Sequence, residues 1–280
     1  MSRAGRRLRG RLMTALLGLA VVVAVLPLLL ILGTLVWKGA GSLDWAFFTQ
    51  VPAPPGETGG GVAHAIVGTL LIVAMAALIA LPVGIGAGLY VAEYPHTRLA
   101  WITRFLADVL NGTPSIVVGV FAWTFVVANQ KHFSALAGSV ALAILIIPMV
   151  LRTTEEMLKL VPHALREAAL ALGYPRWRTA LTVVARTTLP GIVTGCLLAL
   201  ARAAGETAPL LFTALGSQYF SLNVRQPMAA LPLVVFAYAT GPYEEWHRLA
   251  WASALVLILV VFVLSVGARL ATGKRVRDGH

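Results

Sequence analysis

The chain has 280 residues, of which 59% are hydrophobic and only 12% charged. A soluble protein of this size needs more charge to cover its surface, so a soluble enzyme and a disordered chain are both excluded. The net charge is +11, from 22 Lys and Arg against 11 Asp and Glu, and the question it raises is which side of a membrane holds the basic residues.

A lipid-spanning helix needs about 20 mostly apolar residues. The chain opens on a basic segment, residues 1–11, with Arg3, Arg6, Arg7, Arg9 and Arg11. Leu12–Val36 is the first apolar stretch. It is longer than the ~7–15 residues of a signal-peptide core, so it reads as an uncleaved anchor. Residues 37–62 hold Pro52, Pro54, Pro55 and Gly59–Gly61 and read as a turn-rich periplasmic loop. Trp37 and Trp45 belong at the lipid–water boundary.

Residues 63–268 read as a five-helix core. Its spans are expected over Ala63–Ala92, Val109–Gln130, Phe133–Leu151, Thr187–Leu215 and Leu249–Ala268, with a cytoplasmic loop at 152–186. Gln226–Tyr243 is uncharged, but Pro227, Pro232 and Pro242 argue against a span, leaving a short helix or re-entrant piece on the outer face. A basic tail, residues 269–280, follows. With six spans and the N-terminus inside, seventeen Lys and Arg fall on cytoplasmic segments and four outside, which places both termini in the cytoplasm. Cys196, alone in an apolar run, reads as a packing residue.

No phosphate-binding G-x-x-x-x-G-K-[ST] loop and no H-E-x-x-H are present, and the six histidines are scattered without metal-ligand spacing. No metal site, catalytic constellation or cofactor is expected in this chain. The basic charge is absorbed by membrane topology, so no nucleic-acid partner is expected.

Two segments carry chemistry. In the 152–186 loop, Arg166-Glu167-Ala168-Ala169-Leu170-Ala171-Leu172 are helix formers ended by Gly173 and Pro175. The small face at Ala168 and Ala169, with Leu170 beside it, suits docking into a groove on a partner; a helix lying on the membrane surface fits equally. In the fifth span, Arg202 and Glu206 stand at i and i+4 in an apolar helix. An intramembrane charge costs about 2.5–3.5 kcal/mol, more than such a pair returns, so both should face a protein interior or an aqueous path. A structural ion pair and an anion pathway remain open. At Asn111-Gly112-Thr113-Pro114-Ser115, a helix start is expected at the cytoplasmic side. Thr113 or Ser115 capping it is favoured over direct contact with an anion.

Glu167-Ala168-Ala169 followed by Gly173 resembles the EAA loop of ABC-importer permeases. After the glycine the chain departs from that pattern, with Val183 and then Ala185-Arg186 where Leu-Pro is expected. The run Ala201-Arg202-Ala203-Ala204-Gly205-Glu206-Thr207-Ala208-Pro209-Leu210-Leu211 resembles the signature of the PstA-type permeases of bacterial phosphate importers, and Pro114-Ser115-Ile116-Val117 matches a second family segment. The resemblance implies an all-α, six-span, MetI-like type I permease fold in the bacterial inner membrane. It implies inorganic phosphate as the substrate, on a path lined by Arg202, Glu206, Thr207, Asn111, Thr113 and Ser115. It also implies coupling through Arg166, Glu167, Ala168, Ala169, Leu170 and Gly173. The implied partners are a PstC-type sister permease, two PstB-type ATPase subunits that hold ATP and Mg, and an extracytoplasmic PstS-type phosphate-binding protein. Molybdate or sulfate as substrate, and an ion-coupled secondary transporter, are the alternatives.

Overall fold

The structure, a computed structural model, describes residues 3–54 and 56–277, with side chains described for 10–54 and 56–267. The side chains of Arg3, Arg6, Arg7 and Arg9 and of the tail from residue 269 onward lie outside the described residues.

Helix α1 (Arg3–Ala40) carries the first apolar stretch and runs past its expected end. The 37–62 loop is partly ordered into α2 (Trp45–Thr49). Asp44 caps α2 by accepting a 2.8 Å hydrogen bond from the Phe47 N–H, and Pro52 bridges Gly60 beyond it. Helix α3 (Ala63–Glu93) matches the second span. Helix α7 (Ala135–Lys159) covers the fourth and runs two turns further, because the end of an apolar run marks the end of the hydrocarbon layer and not the end of the helix. Helix α13 (Glu244–Arg277) covers the sixth. Gln226–Tyr243 contains a short helix, α12 (Leu231–Ala239), whose Leu231, Pro232, Leu233 and Val234 are buried.

Two expectations need correction. The third span is not continuous from Val109. Helix α4 (Arg98–Gly112) ends there, and α5 (Ser115–Ala122) leaves at 107°. Proline at 114 forces Thr113 out of the helical region, to φ −78° and ψ 130°, and has no N–H to continue the ladder. Helix α5 then continues through a π turn at Trp123–Val127 into α6 (Ala128–Gln130).

The fifth span also breaks. Its helix begins earlier, at α9 (Arg176–Arg178), and passes through a π stretch at Thr179–Val184 into α10 (Ala185–Ala203). It stops at Ala203, where Gly205 and Pro209 end helical continuity, and a four-residue helix, α11 (Ala208–Leu211), follows. Arg202 and Glu206 therefore do not share one helical face. Among the described residues five helices are long and apolar enough to cross a bilayer, and the count is six if the bent pair of α4 and α5–α6 is one broken span.

The molecule is built on the parallel pair α3 and α7, whose contacts advance together along both chains, Gly84 against Val150 and Gly88 against Thr154. Buried Ile72, Ala76 and Ala80 of α3 meet Leu142, Ala143, Ile146 and Val150 of α7. In lipid no hydrophobic force draws helices together, so small residues that admit close van der Waals contact carry the packing. A Cβ on Gly88 would stand 2.6 Å from that of Thr154. Helices α10 and α11 also pack against α7. A second core joins Phe47, Val62, Leu231, Tyr238 and Leu249 under α12 and α13, and α1 packs along α13.

Replacing Gly88 with Val forces α3 off α7. We expect a loss of about 1–3 kcal/mol, read as a lower unfolding midpoint of the purified protein. Gly86→Ala, whose Cβ meets open space, leaves the midpoint unchanged or slightly raised.

Candidate functional site

The two helix breaks meet. A cavity of about 360 Å³ is lined by Asn111, Thr113, Pro114 and Ser115 from the α4–α5 junction and by Arg202, Ala203 and Glu206 from the end of α10. Its apolar wall is Leu145, Ile146 and Met149, near the middle of α7. The start of α5 thus lies level with Leu145–Met149 of α7, one to two turns short of Arg152, where the charged end of that helix begins. Five of the six sequence-identified path residues share this cavity. Thr207 does not line it; it stands half-buried at the start of α11.

Arg202 is exposed on the last turn of α10, and Glu206 is half-buried in the turn beyond, its N–H donating to the Ala203 carbonyl at 3.1 Å. Among the described residues neither side chain is in an ion pair. The internal salt bridge that the sequence left open is therefore absent. A cation at a helix C-terminus is favoured by the dipole there. The expected capping of α5 is also not realised. No side chain caps its start, and the Thr113 hydroxyl donates instead to the Val109 carbonyl at 2.7 Å. The first N–H groups of α5 are left to whatever occupies the cavity, and a helix N-terminus favours an anion.

Close backbone contact holds the walls together. A Cβ on Gly119 of α5 would lie 2.7 Å from the Pro209 Cα of α11, so the two broken helices touch directly. Any side chain at 119 would push them apart and widen the cavity.

At one end of α7 the structure builds a charged cluster the sequence analysis missed. The Glu155 side chain is fully buried. It accepts from Arg104 Nε at 2.8 Å, Arg152 Nη1 at 3.1 Å and Lys159 Nζ at 2.8 Å. Arg152 also pairs with Asp108 of α4. Arg104 further donates to the carbonyls of Val91 at 3.0 Å and Pro95 at 3.1 Å, at the end of α3. The signal within α7 is legible, since Arg152 and Lys159 flank Glu155 at i−3 and i+4. The partners on α4, 44 and 51 residues away in sequence, give none.

The helix of the 152–186 segment, α8 (His163–Ala171), projects beyond this cluster. It ends in a Schellman turn: Tyr174 N–H donates to Ala169 and Gly173 N–H to Leu170, with Gly173 at φ 85°. Glu167, Ala168 and Leu170 are exposed, whereas Ala169 is buried. Arg166 faces its own chain, paired with Glu93 of α3 and donating to the Leu158 carbonyl at 2.9 Å. It fixes the root of α8 rather than its free face.

A polytopic helical membrane protein with a polar cavity between broken helices is the architecture of a permease. The model of the family "Binding-protein-dependent transport system inner membrane component" matches residues 84–277. The PstA phosphate transport permease of Yersinia pestis is 46% identical over 97% of this chain and 92% of its own length. PstA 1 of Mycobacterium tuberculosis strain H37Rv is 38% identical over 95% and 88%. Among solved structures, the inward-facing MetNI methionine ABC transporter superposes with a TM-score of 0.65 over 76% of this chain and 95% of its own, at 18% identity. A bacterial alginate ABC transporter gives 0.62 over 95% and 96%, at 15% identity. The chain belongs to the ABC-importer permeases and, within them, to the PstA family. It is a multi-pass membrane subunit, not itself an enzyme, and has the MetI-like type I fold.

Removing the Glu155 carboxylate strands three cations. Glu155→Ala and Glu155→Gln should both destabilise. The loss should lie at or below the low end of the ~3–5 kcal/mol seen when a buried pair is broken, because the cations left behind keep some water. Asp108→Ala, at the exposed edge of the cluster, should cost at most about 1 kcal/mol. Thermal unfolding of the three variants in detergent checks the order.

Proposed function

We propose that this chain forms half of the path by which inorganic phosphate crosses the bacterial inner membrane, as the permease of an ATP-driven importer. The observation that carries the reading is the polar cavity between the two helix breaks. There an unpaired guanidinium, Arg202, and an uncapped helix start at Ser115 meet between two broken helices. An anion entering it finds one full positive charge and backbone N–H donors, with Asn111, Thr113 and Ser115 as polar neighbours. Glu206 on the same wall subtracts from that attraction, so the anion is held weakly enough to leave.

Phosphate is the substrate carried in the names of the PstA relatives. That supports it over molybdate or sulfate, and the permease family supports an importer subunit over an ion-coupled secondary carrier. The path is completed by a PstC-type sister permease. A PstS-type binding protein delivers phosphate at the outer face, and two PstB-type subunits supply ATP hydrolysis with Mg. The exposed Glu167, Ala168 and Leu170 of α8 contact the ATPase. ATP-driven closure of the ATPase pair presses on α8, whose root is tied by Arg166 to α3. The excess of basic residues on the face bearing α8 supports that face as cytoplasmic, with both termini there.

Arg202→Ala in the assembled importer should lower phosphate uptake at least tenfold, about 1.4 kcal/mol or more, while the complex still purifies intact and hydrolyses ATP. Arg202→Lys should recover part of it, since the charge returns without the planar fork. Full uptake by the alanine variant removes Arg202 from the path. Separately, Ala168→Glu places a bulky charge on the exposed face of α8. It should abolish copurification of the ATPase subunit without changing the unfolding midpoint of the permease itself.

A further inference from the structure

Far from the central cavity, the end of α1 and the start of α13 enclose a second one of about 810 Å³, closed on its third side by α12. We infer that this cleft is a binding site for one anionic glycerophospholipid, with Lys38 and Arg248 receiving its phosphate and the apolar floor receiving the top of its acyl chains.

The placement carries the argument. The uncharged run of α1 ends at Val36, just before Lys38, and that of α13 begins at Leu249, just after Arg248. The cleft therefore straddles the level at which both helices pass from polar to apolar. Its polar rim is Lys38, His247, Arg248 and Glu244; its floor is Val235, Ala250 and Ala254. A soluble anion has no use for that floor, and an uncharged lipid tail has no use for that rim. A phospholipid satisfies both at once.

The rim is also prepared for an anion. The Lys38 ammonium is held 4.9 Å above the ring of Trp251, which positions the charge without neutralising it. Arg248 is steadied by Glu245 at 3.2 Å, and its side chain remains 58% exposed. His247 Nε2 is engaged with the Gly241 carbonyl at 2.8 Å and so shapes the rim. Glu245 offsets Arg248 and Glu244 adds a second acid to the rim, so the charge left free to meet a phosphodiester is that of Lys38, which is in no salt bridge among the described residues. Trp37, 87% exposed beside the opening, has the amphipathic ring that settles at headgroup level. The cleft exists because α1 comes close: a Cβ on Gly39 would lie 2.8 Å from the Trp251 carbonyl oxygen.

The test uses the whole importer in nanodiscs of phosphatidylglycerol, or of phosphatidylcholine, followed by mild detergent extraction and native mass spectrometry. We expect one phosphatidylglycerol retained per copy of this chain, and no phosphatidylcholine. Retention should fall about fivefold for each of Lys38→Ala and Arg248→Ala, and Lys38→Arg should keep it. Equal retention of both lipids, or unchanged retention in the double alanine variant, overturns the site. A photo-crosslinker replacing Ala254 supplies a readout independent of affinity. Its product should have the mass of a phospholipid adduct, and a crosslink to the sister permease or to the binding protein overturns the inference.

Discussion

One buried carboxylate sets the mechanical frame of this permease. Glu155 has no water to solvate it, and its charge is tolerable only because three cations converge on it. Those cations come from two helices, α4 and α7, and Arg104 reaches on to carbonyls at the end of α3. Arg166 ties α8 to the same end of α3 through Glu93. Four elements are thus pinned to one another at a single face. Helix α4 is the one that matters for the cavity, because Arg104 anchors it in the cluster while Asn111, two turns on, lines the wall. On the proposed coupling, force applied to α8 would reach α4 through their shared contacts with α3, and α4 carries the Thr113–Pro114 break.

The breaks themselves follow from the solvent. Lipid offers no hydrogen bonds, so irregular backbone at membrane depth survives only where protein covers it or water reaches it. The chain interrupts helices at Thr113–Pro114 and at Ala204–Thr207, and it brings the two interruptions together. Gly119 against Pro209 makes the contact close enough that each break shields the other, leaving one shared cavity between them. The side chains that pay an insertion cost in lipid, Arg202 and Glu206, are located at one of these breaks.

Most of the fold was legible because apolar length is a strong signal: the span at Ala63 starts where the uncharged run starts, and the short helix at Leu231–Ala239 was signalled by the prolines around it. Helix continuity was less legible. An apolar run says that a segment lies in lipid. It does not say that the segment is straight, and the prolines at 114 and 209 were the clues to the two bends. The site residues were named from local motifs, and five of them converge in space. The ion pair left open between Arg202 and Glu206 does not form because i,i+4 proximity holds only if the helix persists, and here it ends at Ala203. Glu155 escaped notice because its burial depends on Arg104, whose nearness no local pattern encodes.

If the cavity is the phosphate path proposed above, the missing ion pair changes how it works. Had Arg202 and Glu206 neutralised each other, an entering anion would have had to break a bond before making one. As the chain folds, the guanidinium is unpaired and the carboxylate stands on the same wall. At an effective dielectric near 20, an anion about 4 Å from Arg202 gains roughly 4 kcal/mol of Coulomb energy, and Glu206 returns a share of it at its own distance. The difference is what the anion must surrender to leave. A carrier that has to release its cargo in every cycle benefits from a small difference. Placing the acid beyond the helix end, rather than on the same helical face as the arginine, sets that difference by backbone geometry, which an approaching ion cannot rearrange.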